Sequence, residues 1–173
     1  MRRALVLRLL AACAVVGLTI TVATADEGAS AFTARLSGFG EVAPILSNGT
    51  GSFHATVQGN KLTYTETFSD LTSPVTQSHI HFAQRGVNGG IFLFLCSNLG
   101  NGPTGTPACP AGGGTVRRTV SAADIVAVQP QNVSVGDFAG AVRILRSGDA
   151  YVNVHTTTFP LGEIRGQVHF GDD

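Results

Sequence analysis

Two short runs near the end of the chain, residues 150–156 (AYVNVHT) and 163–170 (EIRGQVHF), alternate apolar and polar residues with a period of two. Only a strand sends successive side chains to opposite faces, so both runs predict β-strands with one core-like face. Val152 and Val154 mark that face in the first run, and Ile164, Val168 and Phe170 mark it in the second. The opposite face carries Tyr151, Asn153 and His155, then Glu163, Arg165, Gln167 and His169. A sheet that merely needs solubility has no reason to gather a His, an Asn, an Arg and a Glu there. The link between the runs holds Pro160 and Gly162, a turn signature.

The same alternation recurs upstream. Residues 32–36 predict a first strand, and residues 50–58 and 61–68 predict a hairpin closed by Gly59-Asn60. Residues 78–83 predict a short strand. Residues 91–96 (IFLFLC) are apolar on both faces and predict a central strand covered on both sides. Residues 115–120 predict a further strand. Ser121-Ala-Ala-Asp124 resembles a capping box, and Ser134-Val-Gly-Asp137 precedes Phe138, Val142 and Leu145 at helical spacing, with Gly148 as a stop. Seven or eight strands with Gly/Pro turns and one or two short helices predict an all-β fold, an antiparallel β-sandwich or flattened barrel.

The first 25 residues predict a cleaved export signal. Arg2 and Arg3 precede an apolar run broken only by Arg8, and Ala23-Thr24-Ala25 offers small residues for cleavage. A transmembrane anchor is the rival, at the cost of placing Arg8 in the bilayer. Leu10-Ala11-Ala12-Cys13 also fits a lipoprotein box, although the apolar run continues well past Cys13. The expected mature domain is residues 26–173, secreted or periplasmic, with no transmembrane segment. Losing Arg2, Arg3 and Arg8 from the 11 Lys and Arg leaves 8 against 11 Asp and Glu, a net charge near −3. With no basic run, the expected partner is an extracytoplasmic protein or ligand rather than nucleic acid.

Cys96 and Cys109 are the cysteines left after the leader. An oxidising compartment makes a Cys96–Cys109 disulfide the default, closing a Gly/Pro/Asn-rich loop for a gain of about 3 kcal/mol on the chain-entropy model. A thiolate metal site lacks a nearby His or third Cys.

His79 and His81 are two apart, so on a strand they share a face roughly 6–7 Å apart between Cα atoms. Two imidazoles at that spacing can hold one ion, and His155 is the best third ligand, provided its strand lies beside theirs. Three neutral imidazoles suit copper or zinc. The alternative is that these rings bond backbone groups or Glu163. Arg165 either pairs with Glu163 on one strand face or, with Glu163 and Asn153, contacts an anion or partner. His54 and His169 have no specific support as ligands. Hydrolase, phosphate-loop and His-Glu-x-x-His patterns are absent from the sequence.

Several of these segments resemble one family. Tyr151-Val-Asn-Val-His-Thr156, with Pro160-Leu-Gly-Glu-Ile-Arg-Gly-Gln-Val168, resembles the closing motif of CHRD domains, named after chordin. His79-Ile-His81, with glycines at 86, 89 and 90, resembles the family's middle motif, and the hairpin at 51–68 also fits. The resemblance implies an exported single-domain form of the kind bacteria carry, a non-catalytic binding module without the growth-factor-binding modules of chordin. It further implies a Greek-key barrel, immunoglobulin-like or like that of copper/zinc superoxide dismutase. On that comparison His79 and His81 look like a copper-binding His-x-His pair, His155 like a later copper ligand and Arg165 like an anion-guiding Arg. The bridging His and the zinc-binding His/Asp cluster of those enzymes have no counterpart here. The alternative function is therefore a copper-dependent, dismutase-like redox enzyme.

Overall fold

The computed structural model describes residues 29–171. The leader expectation for residues 1–25 lies outside them. Alternating apolar residues form β1 (Ser30–Ser37), β2 (Thr50–Gln58), β3 (Lys61–Ser69), β4 (Val75–Phe82), β5 (Gly90–Ser97), β6 (Gly114–Val120), β7 (Ala150–Thr156), β8 (Ile164–Gln167) and β9 (His169–Phe170). All pair antiparallel in one sheet ordered β5-β4-β7-β8-β1-β2-β3-β6, with β9 beside β1. The ends β5 and β6 come back together, and Tyr64 on β3 donates its hydroxyl to the Leu95 carbonyl on β5. The sheet is thus a nearly closed barrel in which β3–β6 and β4–β7 are Greek-key neighbours. Phe32, Phe53, Tyr64, Phe68, Ile80 and Val152 fill its interior.

Residues 91–96 do not form a central strand. β5 ends the ladder and pairs with β4 alone. Both its faces are nonetheless buried, and its free edge is covered by the segment 122–133. Leu93 bridges to Ile125, and the Val126 N–H donates to the Phe92 carbonyl at 3.0 Å. The helix signal at Ser121 yields only a 3-10 turn, Ala122–Asp124. Arg118 holds the Asp124 carboxylate at 2.6 Å, and the chain then leaves to cover that edge. The second helix signal yields α1 (Phe138–Ser147), where Asp137 accepts from the Gly140 N–H and Gly148, at φ +79°, ends the helix. Its buried side is Ala141, Val142, Ile144 and Leu145.

The final run also breaks. Val168 turns inward with its N–H on the Ala150 carbonyl, and β9 moves over to pair with β1. Phe170 therefore sits at the rim, more than half exposed, against Phe32. The Cys96–Cys109 disulfide is formed, with Cα atoms 5.1 Å apart. Asn98 bonds Cys109 through both its N–H and its carbonyl and also reaches Val75, so the disulfide loop is tied to β4. No helix among the described residues is long and apolar enough to cross a membrane.

Candidate metal centre

Strand register brings the polar residues of β4, β7 and β8 into rows on the outer face of the barrel. His79 stands opposite Asn153, and Asn153 opposite Arg165; His81 stands opposite Tyr151, and Tyr151 opposite Gln167; Gln77 stands opposite His155. The period of two puts these side chains outside while Ile80, Val152 and Val154 point in. The outer face is nevertheless dry: every residue of β7 is buried, as are His79 and His81. Loops from residues 38–47, 84–89 and 157–163 cover it, as their hydrogen bonds to the face show.

The three histidines meet beneath these loops. Each offers a ring nitrogen, and those nitrogens lie within 4.8 Å of one another. His155 Nδ1 is 3.0 Å from the Pro160 carbonyl and His81 Nδ1 is 2.9 Å from the Gly89 carbonyl. A carbonyl only accepts, so both Nδ1 atoms carry hydrogen and both Nε2 atoms present lone pairs. His155 Nε2 then accepts from His79 Nδ1 at 3.2 Å. His81 Nε2, His79 Nε2 and the Asn153 carbonyl oxygen Oδ1 are buried without a protein partner, three of the five such atoms in the described residues. A buried lone pair without a partner calls for an explanation, and a ligand at the cluster would supply one for His81 Nε2.

Electrostatics keep the rings neutral. Burial, then the neighbouring His155 and His81, pushes His79 down to about 2. Burial pushes His81 down to about 4 against the opposing pull of the Gly89 carbonyl, and burial lowers His155. Neutral imidazole is the ligating form, and backbone carbonyls on the far nitrogens are the usual way such rings are aimed. Two nitrogens on one ion at about 2.1 Å can be no more than about 4.2 Å apart. Loading would therefore draw the widest pair in by roughly 0.6 Å or more, while His79 and His155 already stand close enough.

Arg165 and Glu163 do not pair. Ser47, Thr72 and Thr156 all donate to the Glu163 carboxylate. Burial pushes its pKa up, but these bonds outweigh it and hold the carboxyl below the usual range. Glu163 thereby ties residues 47 and 72 to the turn after β7. Arg165 is 2% exposed. Its guanidinium donates to Asn88 at 3.0 Å and to the carbonyls of Val87 at 2.8 Å and Gln84 at 3.4 Å, and it lies 3.3 Å over the Tyr151 ring. Tyr151 in turn stacks on His81, nearly parallel at 4.6 Å. Arg165 thus fixes the loop whose Gly89 carbonyl aims His81. Asn153 donates to Glu41 at 3.5 Å. Gly162, at φ +126°, lets this pair approach: a Cβ there would stand 2.6 Å from Asn153 Nδ2 and closer still to Glu41.

Sequence reasoning misses Glu41, which lies in a loop without period. It also misses Glu66 and Ser78, buried inside the barrel wall and 2.6 Å apart. Their signal was parity: Glu66 shares the core face of β3 with Leu62, Tyr64 and Phe68, and Ser78 that of β4 with Ile80. Ser78 Oγ also lies 3.0 Å from the Asn153 carbonyl. The Ser78 hydroxyl donates toward Glu66 and also stands within reach of the Asn153 carbonyl. Burial, opposed only in part by the Ser78 bond, pushes Glu66 up to about 8.

Fold and cluster together define an all-β barrel domain with three converging imidazoles under loops on its outer face. The CHRD domain model matches residues 32–168, most of the chain, and the chain belongs to the CHRD domain family. No curated protein and no solved structure matches it.

Proposed function

We propose that this CHRD domain is an exported, non-catalytic binding module that holds one copper or zinc ion through one ring nitrogen each of His79, His81 and His155. The observation that carries the reading is the cluster itself: three buried, neutral rings with ligand atoms within 4.8 Å. Unpartnered His81 Nε2 supports it, as do the two carbonyls that set the tautomers of His81 and His155. The domain is residues 26–173, released from its leader into a secreted or periplasmic setting, where the disulfide is stable.

The test is metal content by mass spectrometry on tag-free protein offered copper and zinc in turn and then desalted. About one ion per chain is expected, falling to near zero in His79→Ala/His81→Ala. Retention of no metal by the wild type, or equal retention by the variant, overturns the reading.

Three protein ligands leave a coordination position open, which favours a second reading, a copper-dependent redox enzyme. Bound copper would supply one-electron chemistry, and the chain would hold the ion and limit access. Arg165 would serve by holding residues 84–89 over the site rather than by steering anions. A superoxide assay on the copper-loaded protein separates the two readings.

A further inference from the structure

Asn153 stands at the centre of the histidine set. Across the β4–β7 ladder it is opposite His79, and it shares its strand face with His155, two residues on. His81, opposite Tyr151, is its diagonal neighbour. No other residue of these two strands adjoins all three rings in this way. Asn153 is itself 3% exposed.

Its carboxamide is aimed. Nδ2 donates to the Glu41 carboxylate at 3.5 Å, and Oδ1 is buried without a partner. What Oδ1 faces follows from His81. Burial lowers the His81 pKa, while the Gly89 carbonyl and the Asn153 side chain both pull it up. A neutral neighbour raises an imidazole pKa by accepting its proton, so the Asn153 atom beside the ring is the oxygen. Gly89 already takes the hydrogen on Nδ1, which leaves Nε2 as the ring nitrogen that meets Oδ1. Nε2 is likewise buried without a partner, and in this tautomer it carries a lone pair. Two acceptors thus share a dry space, and neither can satisfy the other. A cation between them satisfies both.

We propose that Asn153 Oδ1 is a fourth ligand to the ion held by His79, His81 and His155, and that this oxygen selects a divalent ion over copper(I). The inference rests on the metal-binding reading above. A carbonyl oxygen is a hard donor that zinc and copper(II) accept, whereas copper(I) is drawn to soft sulfur ligands and gains little from it. Four protein ligands complete a tetrahedron, the arrangement of a site that stores its ion, and remove the open position on which the redox reading depends. Glu41 acts as the positioning residue that turns the amide, in the manner of the outer partners of metal ligands.

Titration of the full chain in competition with chromophoric chelators tests it, with zinc and, under anaerobic reducing conditions, with copper(I). Asn153→Ala should weaken zinc about tenfold or more and leave copper(I) at its wild-type affinity. A purely structural role for Asn153 would weaken both ions alike, so the ratio of the two affinities decides. Asn153→Asp keeps an oxygen in the same place and should hold zinc at least as tightly as wild type. His79→Ala/His81→Ala should lose both ions. Unchanged far-ultraviolet circular dichroism shows that each variant folds. A wild-type affinity ratio in Asn153→Ala, or weakened zinc in a folded Asn153→Asp, overturns the fourth ligand. The three-histidine site then still stands if the double variant loses both ions. A wild type that binds neither ion overturns the site and its fourth ligand together, and one that binds copper(I) alone overturns the selection.

Discussion

His79 Nδ1 and His155 Nε2 stand 3.2 Å apart although 76 residues separate them in the chain. The contact exists because β4 pairs with β7 and not with a sequence neighbour on that side. A proton shared between two buried neutral rings is a poor substitute for water, and this is where acid should first act on the fold.

Stability should therefore fall as pH drops below about 6.5. The unfolded chain takes up protons near 6.5, whereas folded His81 waits until about 4 and His79 until about 2. Across that window the unfolded state binds more protons, so each lagging ring costs up to about 1.4 kcal/mol per pH unit. The contribution is complete above 6.5 and ceases to change below the folded values. Urea midpoints of metal-free protein at pH 7, 6, 5 and 4.5 should decline, less steeply in His81→Gln. A flat profile would count against the buried neutral cluster.

Glu66 should produce the opposite slope. Its folded pKa is raised to about 8 from 4.5, so the folded state holds a proton that the unfolded state releases. Stability from this group is present below 4.5 and is lost as pH rises through 8. Glu66→Gln keeps a donor toward Ser78 and should gain roughly 1–3 kcal/mol over wild type at pH 9. The same alkaline loss in both proteins would show that Glu66 is not the cause.

Arg165→Lys keeps the charge but loses the fork that reaches Asn88, Val87 and Gln84. Amide exchange in residues 84–89 should accelerate about tenfold, with a stability loss of about 2 kcal/mol. The metal affinity of the His79–His81–His155 set should fall too, because Gly89 no longer aims His81. If exchange in this loop matches wild type, Arg165 is not its clamp.

Breaking the disulfide with Cys96→Ser/Cys109→Ser should cost about 3 kcal/mol. The loss should be global rather than a local fraying, since Cys96 is fully buried in β5 and Asn98 ties the loop to Val75. Denaturant unfolding with both circular dichroism and tyrosine fluorescence would show coincident midpoints; separated midpoints would mean that only the loop loosened.

β1, β2 and β3 were legible because each has a single buried parity. Residues 50–58 and 61–68 alternate without a break, and the hairpin they predict forms with β3 one residue longer, to Ser69. Parity fails in two ways elsewhere. The run 91–96 is apolar at every position, which reports burial on both faces but not what buries them, so an edge strand passed for a central one. The row Asn153, Glu163 and Arg165 is polar by parity, and period cannot tell whether loops without period will cover it. The meeting of His155 with His79 and His81 depended on strand order, a long-range property that no window of residues contains.

The cover over the free edge of β5 carries a consequence for handling the protein. Beneath it lies IFLFLC, a run without charge or proline, joined to only one neighbouring strand. If the segment 122–133 is cut or peeled away, that strand presents bare amides and apolar side chains to any other molecule in the same condition. Such an edge templates cross-β stacking. Ile125 and Val126, by closing it, keep the folded chain from seeding fibrils, and nicked or partly unfolded preparations should be expected to gel before they refold.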